Sequence, residues 1–162
     1  MSTDLFATDG PVLVAVDFSV DSRLAVLWAA RQAELLKVPL VILHIVHDPA
    51  ASPGFYLKPG DDYLRPMVDV AGDMLEEFFQ EMRAENPGLP ALAAATTRLV
   101  SGLPAGRINE IAAETGASIV VVGSRGRTGL QSILLGSVAE RVAQISPVPV
   151  VIVKAPDAGK LK

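Results

Sequence analysis

The chain has 162 residues, half of them hydrophobic, with a formal net charge of −4 and no cysteine. This size predicts one domain over residues 1–162 with a single core, and the scattered cations argue against nucleic-acid binding, which needs clustered lysine and arginine. Without cysteine there is no disulfide framework, and no apolar run approaches the roughly 18 residues of a membrane span, so we expect a cytoplasmic protein without membrane insertion.

The first third of the chain predicts a strand, a helix and a second strand. Residues 11–16 (PVLVAV) and 40–46 (LVILHIV) are short, nearly continuous apolar runs, which is typical of strands buried on both faces. The helix between them, over residues 21–37, can take Ser19 or Asp21 as its N-cap.

The middle third predicts a loop, a helix and an edge strand. Residues 48–62 are rich in proline, glycine and alanine and predict a long surface loop. Apolar residues recur at spacings of three and four over residues 63–84, which predicts an amphipathic helix. Residues 94–100 alternate and carry Arg98, which predicts a third strand at a sheet edge.

A further helix is predicted from Pro104 to Gly116, because proline favours the first helical position and glycine follows the last. The fourth strand is predicted over residues 118–122 and the fifth over residues 147–154.

The last helix, predicted over residues 137–145, lies between these two strands. Ser137 opens a capping-box sequence and is the expected N-cap. Its apolar residues Val138, Val142 and Ile145 are expected to face the core.

Alternating strands and helices without an internal repeat predict an α/β fold, an open, doubly wound, five-stranded parallel sheet with helices on both faces. Residues 1–10 and 156–162 are expected to be flexible ends. For five strands the two common orders place the switch point beside strand one, and with the order 3-2-1-4-5 the ends of strands one and four lie together there. Asp17 and Gly123 occupy those ends, so an acid for ribose hydroxyls meets a loop that can cradle phosphate.

Each of these residues also has a plainer interpretation. Asp17 could simply cap the following helix. Gly126 and Gly136 could be ordinary turn glycines, and Arg125 and Arg127 could be solvated surface charges.

Two histidines lie in or after the second strand. His44 and His47 are three residues apart on a strand, hence on opposite faces, so they cannot ligate one metal together. We interpret His44 as a hydrogen-bonded interior residue.

The spacing Gly123-x2-Gly126-x9-Gly136-Ser137 resembles the signature G-x2-G-x9-G-[ST] of nucleotide-binding members of the universal stress protein (UspA-like) family. The segments VAVDFS, LHIV, GSRGRTGLQSILLGSVAERV and PVPVVIV are similar too, so the likeness covers nearly the whole chain. Three glycines and a serine in a strand-loop-helix context are far more specific than a lone glycine loop. The resemblance implies an adenine nucleotide alpha hydrolase-like, Rossmann-like fold and the ATP-binding subset of the family.

The resemblance also implies the ligand and its contacts: ATP, with AMP or ADP as alternatives, and Mg²⁺ held through the phosphates rather than by protein side chains. Asp17 would contact the ribose and the backbone of Ile45 the adenine, while Gly102 and Val122 would line the ribose and adenine side. The glycine loop, with the amides of Ser124 and its neighbours, would hold the phosphates. The implied nucleotide-binding residues are Val16, Asp17, Phe18, Ser19, Ile45, Gly102, Val122, Gly123, Ser124, Arg125, Gly126, Arg127, Gly136, Ser137 and Val138.

A valine side chain in the glycine loop would occupy the space that the phosphates need. Gly123→Val or Gly126→Val is therefore expected to abolish nucleotide binding with little loss of fold.

The family commonly dimerises through its last strand, which implies a homodimer here. A continuous apolar run at an uncovered sheet edge invites pairing with another chain. The implied interface residues are Val150, Val151, Ile152 and Val153.

The function implied is a stress-response or signalling module that binds ATP, with no catalytic residues. The alternative is a slow ATPase or an adenylyl-transfer enzyme on the same fold, with Asp17 as the nearby acid. The sequence has no Walker lysine motif, no plausible Ser/His/Asp set and no paired carboxylates near the loop. A phosphorylated receiver domain is excluded, because the third strand ends in Leu99-Val100-Ser101 without a phosphoacceptor aspartate.

Overall fold

The computed structural model describes residues 9–47, 56, 66–126 and 135–156. These form five strands and five helices. The strands are β1 (Val12–Val16), β2 (Leu40–Val46), β3 (Thr96–Ser101), β4 (Ile119–Gly123) and β5 (Val150–Val153). The helices are α1 (Val20–Leu36), α2 (Met67–Glu85), α3 (Pro90–Ala93), α4 (Pro104–Thr115) and α5 (Ser137–Ile145).

All five strands are parallel and follow the order β3-β2-β1-β4-β5, which confirms the predicted topology. The central strand β1 pairs with β2 on one side and β4 on the other, so that Val14 lies between Ile42 and Val121. The strands β3 and β5 are the two edges.

Each face of the sheet has its own hydrophobic core. One core packs α1, α2 and α3 against side chains such as Val14 and Ile42, and the other packs α4 and α5 against Leu13 and Leu43. Adjacent residues of one strand serve opposite cores because strand side chains alternate. This accounts for the nearly continuous apolar runs in β1 and β2, and it confirms helices on both faces.

The helix α2 begins at Met67, whereas the predicted helix began at residue 63; residues 63–65 lie outside the described part of the chain. The short helix α3 was not predicted, because four residues are too few to show a helical period. Its Leu92 is fully buried, and Glu34 of α1 accepts a hydrogen bond from the backbone N–H of Ala91 at 3.1 Å.

The predicted loop over 48–62 and the predicted flexible ends fall largely outside the described residues. Tyr56, within that loop, is described and is 4% exposed. Over the described part of the chain, no helix combines the length and apolar character that crossing a membrane requires.

Two predictions about α5 were wrong, although its limits were correct. Gly136 rather than Ser137 is the N-cap, and it provides no side-chain cap hydrogen bond. Val138 and Ile145 are 40% and 41% exposed, whereas Ala139 is buried together with Val142. The small residue Ala139 packs against the sheet, and Val138 is therefore turned towards the open end of the sheet.

Candidate functional site

A cleft of about 490 Å³ opens beyond the ends of β1 and β4, at the switch point of the sheet. Pockets that bind small molecules typically have about 300–1,000 Å³. The cleft is lined by these residues implied from the sequence: Val16, Asp17, Ile45, Val122, Gly123, Ser124, Arg125, Gly126, Gly136, Ser137 and Val138. Phe18, Ser19 and Gly102 are not part of its lining, and Arg127 lies outside the described residues.

In the turn from β1 into α1, one residue caps the helix and another lines the cleft. Ser19 is the N-cap of α1, and its Oγ accepts a hydrogen bond from the N–H of Ser22 at 3.2 Å. Asp17 accepts through Oδ1 from the N–H of Ser19 at 3.0 Å and lines the cleft. The carboxylate is therefore not the N-cap, and it stands at the wall where a ligand would lie.

Phe18, between these two residues, has a left-handed backbone with φ of 67°. This region is costly for a residue with a β-carbon, by about 1–2 kcal/mol, and such strain concentrates at functional sites. The ring of Phe18 packs 4.4 Å from His44 and 5.5 Å from Phe78, measured between centroids. These contacts hold the strained turn in place beneath the cleft.

His44 is an interior hydrogen-bonded residue, as predicted. It is 1% exposed, and its Nδ1 lies 2.7 Å from the carbonyl oxygen of Val16, so that Nδ1 carries the proton and donates. Its Nε2 lies 3.0 Å from the hydroxyl of Tyr56. The ring thereby joins β1 to β2 at the base of the cleft. Over the described residues, no cluster of side chains could hold a metal ion.

Some backbone N–H groups of the glycine loop already donate a hydrogen bond, whereas others have no acceptor among the described residues and are available to a ligand. Ser124 donates its N–H to Val153 at 2.8 Å, and Gly136 donates its N–H to the carbonyl of Ser124 at 2.6 Å. The expectation that the Ser124 amide holds phosphate was therefore wrong, because β5 already occupies it. Within the described chain, the backbone N–H groups of Gly126, Ser137 and Val138 have no acceptor.

These available amides surround the N-terminus of α5 and border the cleft. The first N–H groups of a helix have no partner in the helix, and the helix dipole favours negative charge there. The site is therefore suited to an anion held by backbone groups.

The three glycines of the loop differ in the space around them. A β-carbon on Gly123 would lie 3.0 Å from Cβ of Asp21 and 3.1 Å from the N of Ser22. On Gly136 it would lie 3.1 Å from the carbonyl oxygen of Ser124. On Gly126 the one contact with a described residue would be with Asp17 Oδ2, at 3.4 Å. These close contacts argue against the expectation that Gly123→Val spares the fold, since this glycine lets α1 approach β4.

Arg125 is neither a solvated surface charge nor directed only at the cleft. Its side chain is 16% exposed, and its guanidinium forms an ion pair with Asp21 at 3.3 Å and donates to the carbonyl of Ala155 at 3.3 Å. Its positive charge is thus matched by a buried carboxylate.

Several lining residues were not identified from the sequence. They are Ala15, Ser22, His44, His47, Pro104, Ile108, Leu135, Ala139 and Glu140. Most are apolar or small residues whose position depends on packing between elements. Among the larger polar ones, His47 could have been identified, since a polar residue directly after the strand beside β1 is at the correct edge of the sheet.

A profile of the universal stress protein family matches residues 10–154 of the chain. The chain is 35% identical over 149 residues to universal stress protein YxiE of Bacillus subtilis, an alignment that covers 88% of this chain and 97% of YxiE. Several other curated relatives are longer, and the chain spans 45% to 50% of their length.

Solved structures share the fold. The protein MJ0577 superposes with a TM-score of 0.68 at 25% identity, over 94% of this chain and 100% of MJ0577. A universal stress protein solved in complex with cAMP superposes with a TM-score of 0.60 at 26% identity, over 89% of this chain and 95% of that protein.

Proposed function

The chain belongs to the universal stress protein family, and from that premise we propose that its cleft binds an adenine nucleotide, with ATP as the main ligand. The observation that carries the proposal is the convergence of two features on one cleft. The available amides of Gly126 and of the α5 N-terminus border it, and so does the carboxylate of Asp17, whose Oδ2 would lie 3.4 Å from a β-carbon on Gly126. The first group suits phosphates and the carboxylate suits ribose hydroxyls.

The inner wall of the cleft supports the assignment of a base. It is formed by apolar side chains at the ends of β1, β2 and β4, together with Ile108 of α4. Such a wall accepts a flat heteroaromatic ring, while a few polar groups fix its orientation. The relative solved in complex with cAMP supports adenine as that base.

Charge at the cleft bears on the number of phosphates. Among the described lining residues, Asp17 and Glu140 are acidic, and the charge of Arg125 is matched by Asp21. We propose that Mg²⁺ bridges the phosphates of ATP, and that Arg127 contributes positive charge from the loop. On this basis ATP binds more tightly with Mg²⁺ than in the presence of a chelator, whereas AMP affinity changes little.

We propose a binding and signalling role in the stress response rather than rapid catalysis. The hydroxyl of the lining residue Ser124 donates to the carboxylate of Asp21 at 2.9 Å, and the lowered pKa of Asp21 makes that carboxylate a weak general base. Single-turnover measurement with labelled ATP tests this role, and fast stoichiometric hydrolysis or adenylyl transfer would contradict it.

The binding proposal is tested directly on protein purified without added ligand. The retained nucleotide is identified by mass and ultraviolet absorbance, and calorimetry then compares ATP, ADP, AMP and cAMP with and without Mg²⁺. We expect an adenine nucleotide to co-purify and ATP to bind best. Absence of measurable binding for all four nucleotides would contradict the proposal.

We also propose that the protein forms a homodimer through β5. The strand Val150–Val153 is apolar along its length, and it is an edge of the sheet in the isolated chain. An unpaired apolar edge is a template for strand pairing.

A further inference from the structure

A buried carboxylate lies directly beneath the glycine loop without lining the cleft. Asp21, in the first turn of α1, is 4% exposed. Its Oδ2 accepts from the hydroxyl of Ser124 at 2.9 Å and from the backbone N–H of Arg125 at 3.1 Å. Its Oδ1 accepts from the backbone N–H of Ala155 at 3.2 Å. The two carboxylate oxygens thus join three segments of the chain that are far apart in sequence.

The guanidinium of Arg125 closes the same group of contacts. It donates to Oδ2 of Asp21 through Nε at 3.3 Å and to Oδ1 through Nη2 at 3.4 Å. Burial would by itself raise the pKa of Asp21, but the hydrogen bonds from Arg125, Ser124 and Ala155 outweigh it and lower the pKa. The carboxylate is therefore ionised at neutral pH, and each of its partners is a donor.

These contacts fix the backbone at the start of the glycine loop. Ser124 is held by its hydroxyl to Asp21, by its N–H to Val153 and by its carbonyl to Gly136. Arg125 is held by both its N–H and its side chain. The next residue is Gly126, whose amide is available at the cleft. The direction of that amide is consequently set by the residues that Asp21 holds.

We propose that Asp21 is a positioning residue for phosphate binding, a role that rests on the proposed nucleotide site. It does not touch the ligand. It holds Ser124 and Arg125 so that the amide of Gly126 converges with the N-terminus of α5 before the ligand arrives. Preorganised donors bind more tightly than donors that must be ordered on binding.

The test compares a ligand that has phosphates with one that has none. Calorimetry with Mg-ATP and with adenosine is carried out on the wild type and on Asp21→Asn, in which one donor amide replaces an acceptor oxygen. We expect ATP affinity to fall about tenfold or more, as for hydrogen bonds to a charged group. Adenosine affinity is expected to stay within about twofold, because the base and ribose wall does not depend on Asp21.

Asp69→Asn is the matched control, since Asp69 also lies in the first turn of a helix but is exposed and is not among the residues that line the cleft. It should leave both affinities unchanged. Ser124→Ala is the second variant in case Asp21→Asn folds poorly. It removes one donor to the carboxylate without leaving a charge unpaired, and it should weaken ATP binding in the same selective way but less.

Two outcomes would overturn the positioning role alone. One is a wild type that prefers ATP to adenosine while Asp21→Asn and Ser124→Ala keep that preference. The other is a parallel loss of ATP and adenosine affinity in both variants, which would indicate a general structural effect. A wild type that binds neither ligand would instead contradict the nucleotide site itself.

Discussion

Two glycines of the same loop place different demands on the fold. Gly123 lies against the backbone of α1, where a β-carbon would come within 3.1 Å of Ser22 N. Gly126 lies at the cleft, where among the described residues a β-carbon would meet a carboxylate oxygen alone. The signature spacing therefore combines a packing requirement with a ligand requirement, which sequence spacing by itself does not distinguish.

Gly126→Val should abolish or strongly weaken ATP binding and leave stability nearly unchanged. Gly123→Val should destabilise the fold by about 1–3 kcal/mol through overpacking, because backbone atoms of α1 must move. Calorimetry with ATP and urea unfolding separate the two effects. Gly88→Val is the matched control, since a β-carbon there meets no atom of the described residues within 4 Å. If Gly126→Val bound ATP with unchanged affinity, the glycine loop would not be part of the nucleotide site.

The Asp21 carboxylate predicts a specific pH dependence of stability. In the unfolded chain it titrates near 3.8, and in the folded chain its pKa is lower. Its stabilising contribution is therefore complete above that ordinary value and is lost as the pH falls through the folded pKa. Urea unfolding from pH 7 downwards should show Asp21→Asn less stable than the wild type by about 3 kcal/mol at neutral pH.

This difference in stability should shrink once the pH falls below 3.8, because the carboxyl of the unfolded wild-type chain then takes up a proton. Asp69→Asn should show no comparable loss at neutral pH. A stability difference between wild type and Asp21→Asn that is constant across the whole pH range would contradict the ionised, hydrogen-bonded state.

At the level of the elements, the sequence was informative wherever the local pattern reflects burial. Strands β1 and β2 are buried on both faces, so their apolar runs predict them directly. Gly116 ends α4 in the left-handed conformation with φ of 62°, as its position predicted. The four-residue α3 has no period to read, and its place depends on Glu34 of a different helix.

The start of α5 shows why a local motif can mislead. The sequence at Ser137 fits a capping box, yet Gly136 is the N-cap and its N–H is directed to Ser124. Contacts with the other arm of the loop therefore decide where the helix begins. Ser137 is left exposed at the cleft, where its hydroxyl can serve a ligand.

Ser137→Ala consequently should change the free energy of unfolding by less than about 0.5 kcal/mol, whereas loss of an N-cap costs about 1 kcal/mol. ATP affinity should fall about threefold to tenfold, the contribution of one hydrogen bond. Ser19→Ala is the matched control, because the Oγ of Ser19 does cap α1. Urea unfolding and calorimetry give the two values for each variant. A loss of about 1 kcal/mol in the free energy of unfolding of Ser137→Ala would instead indicate that Ser137 caps the helix.

At the scale of the whole molecule, the parallel topology explains why the sequence predicted the cleft but not the contacts of Asp21 that hold the glycine loop. Strands one and four are neighbours in the expected order 3-2-1-4-5, which brings Asp17 and the glycine loop to the same cleft. The partners of Asp21 lie 103 to 134 residues away in sequence. No local pattern can reveal contacts of that kind, so Asp21 was considered only as a possible helix cap.

The two sheet edges differ in a way that bears on assembly. The edge strand β3 carries exposed Thr96 and Thr97, and its Arg98 pairs with Glu114 at 2.9 Å. Polar and charged side chains of this kind discourage strand pairing. The strand β5 has only apolar side chains, of which Ile152 is 36% exposed. A homodimer should therefore form at β5 rather than at β3.

The hydrogen bonds of β5 identify a substitution that tests this interface without breaking the sheet. The carbonyls of Pro149 and Val153 accept from β4, so backbone groups of alternate residues point to β4 and those of Ile152 point to the open edge. Proline is tolerated where the missing N–H faces away from the sheet. Ile152→Pro should remain folded but become monomeric, because antiparallel pairing with a second β5 loses a donor from each chain and meets the proline rings. Light scattering after size exclusion at micromolar concentration gives the mass, with Ile152→Val as a control that should stay dimeric. A monomeric wild type, or a dimeric Ile152→Pro, would place any assembly elsewhere on the molecule.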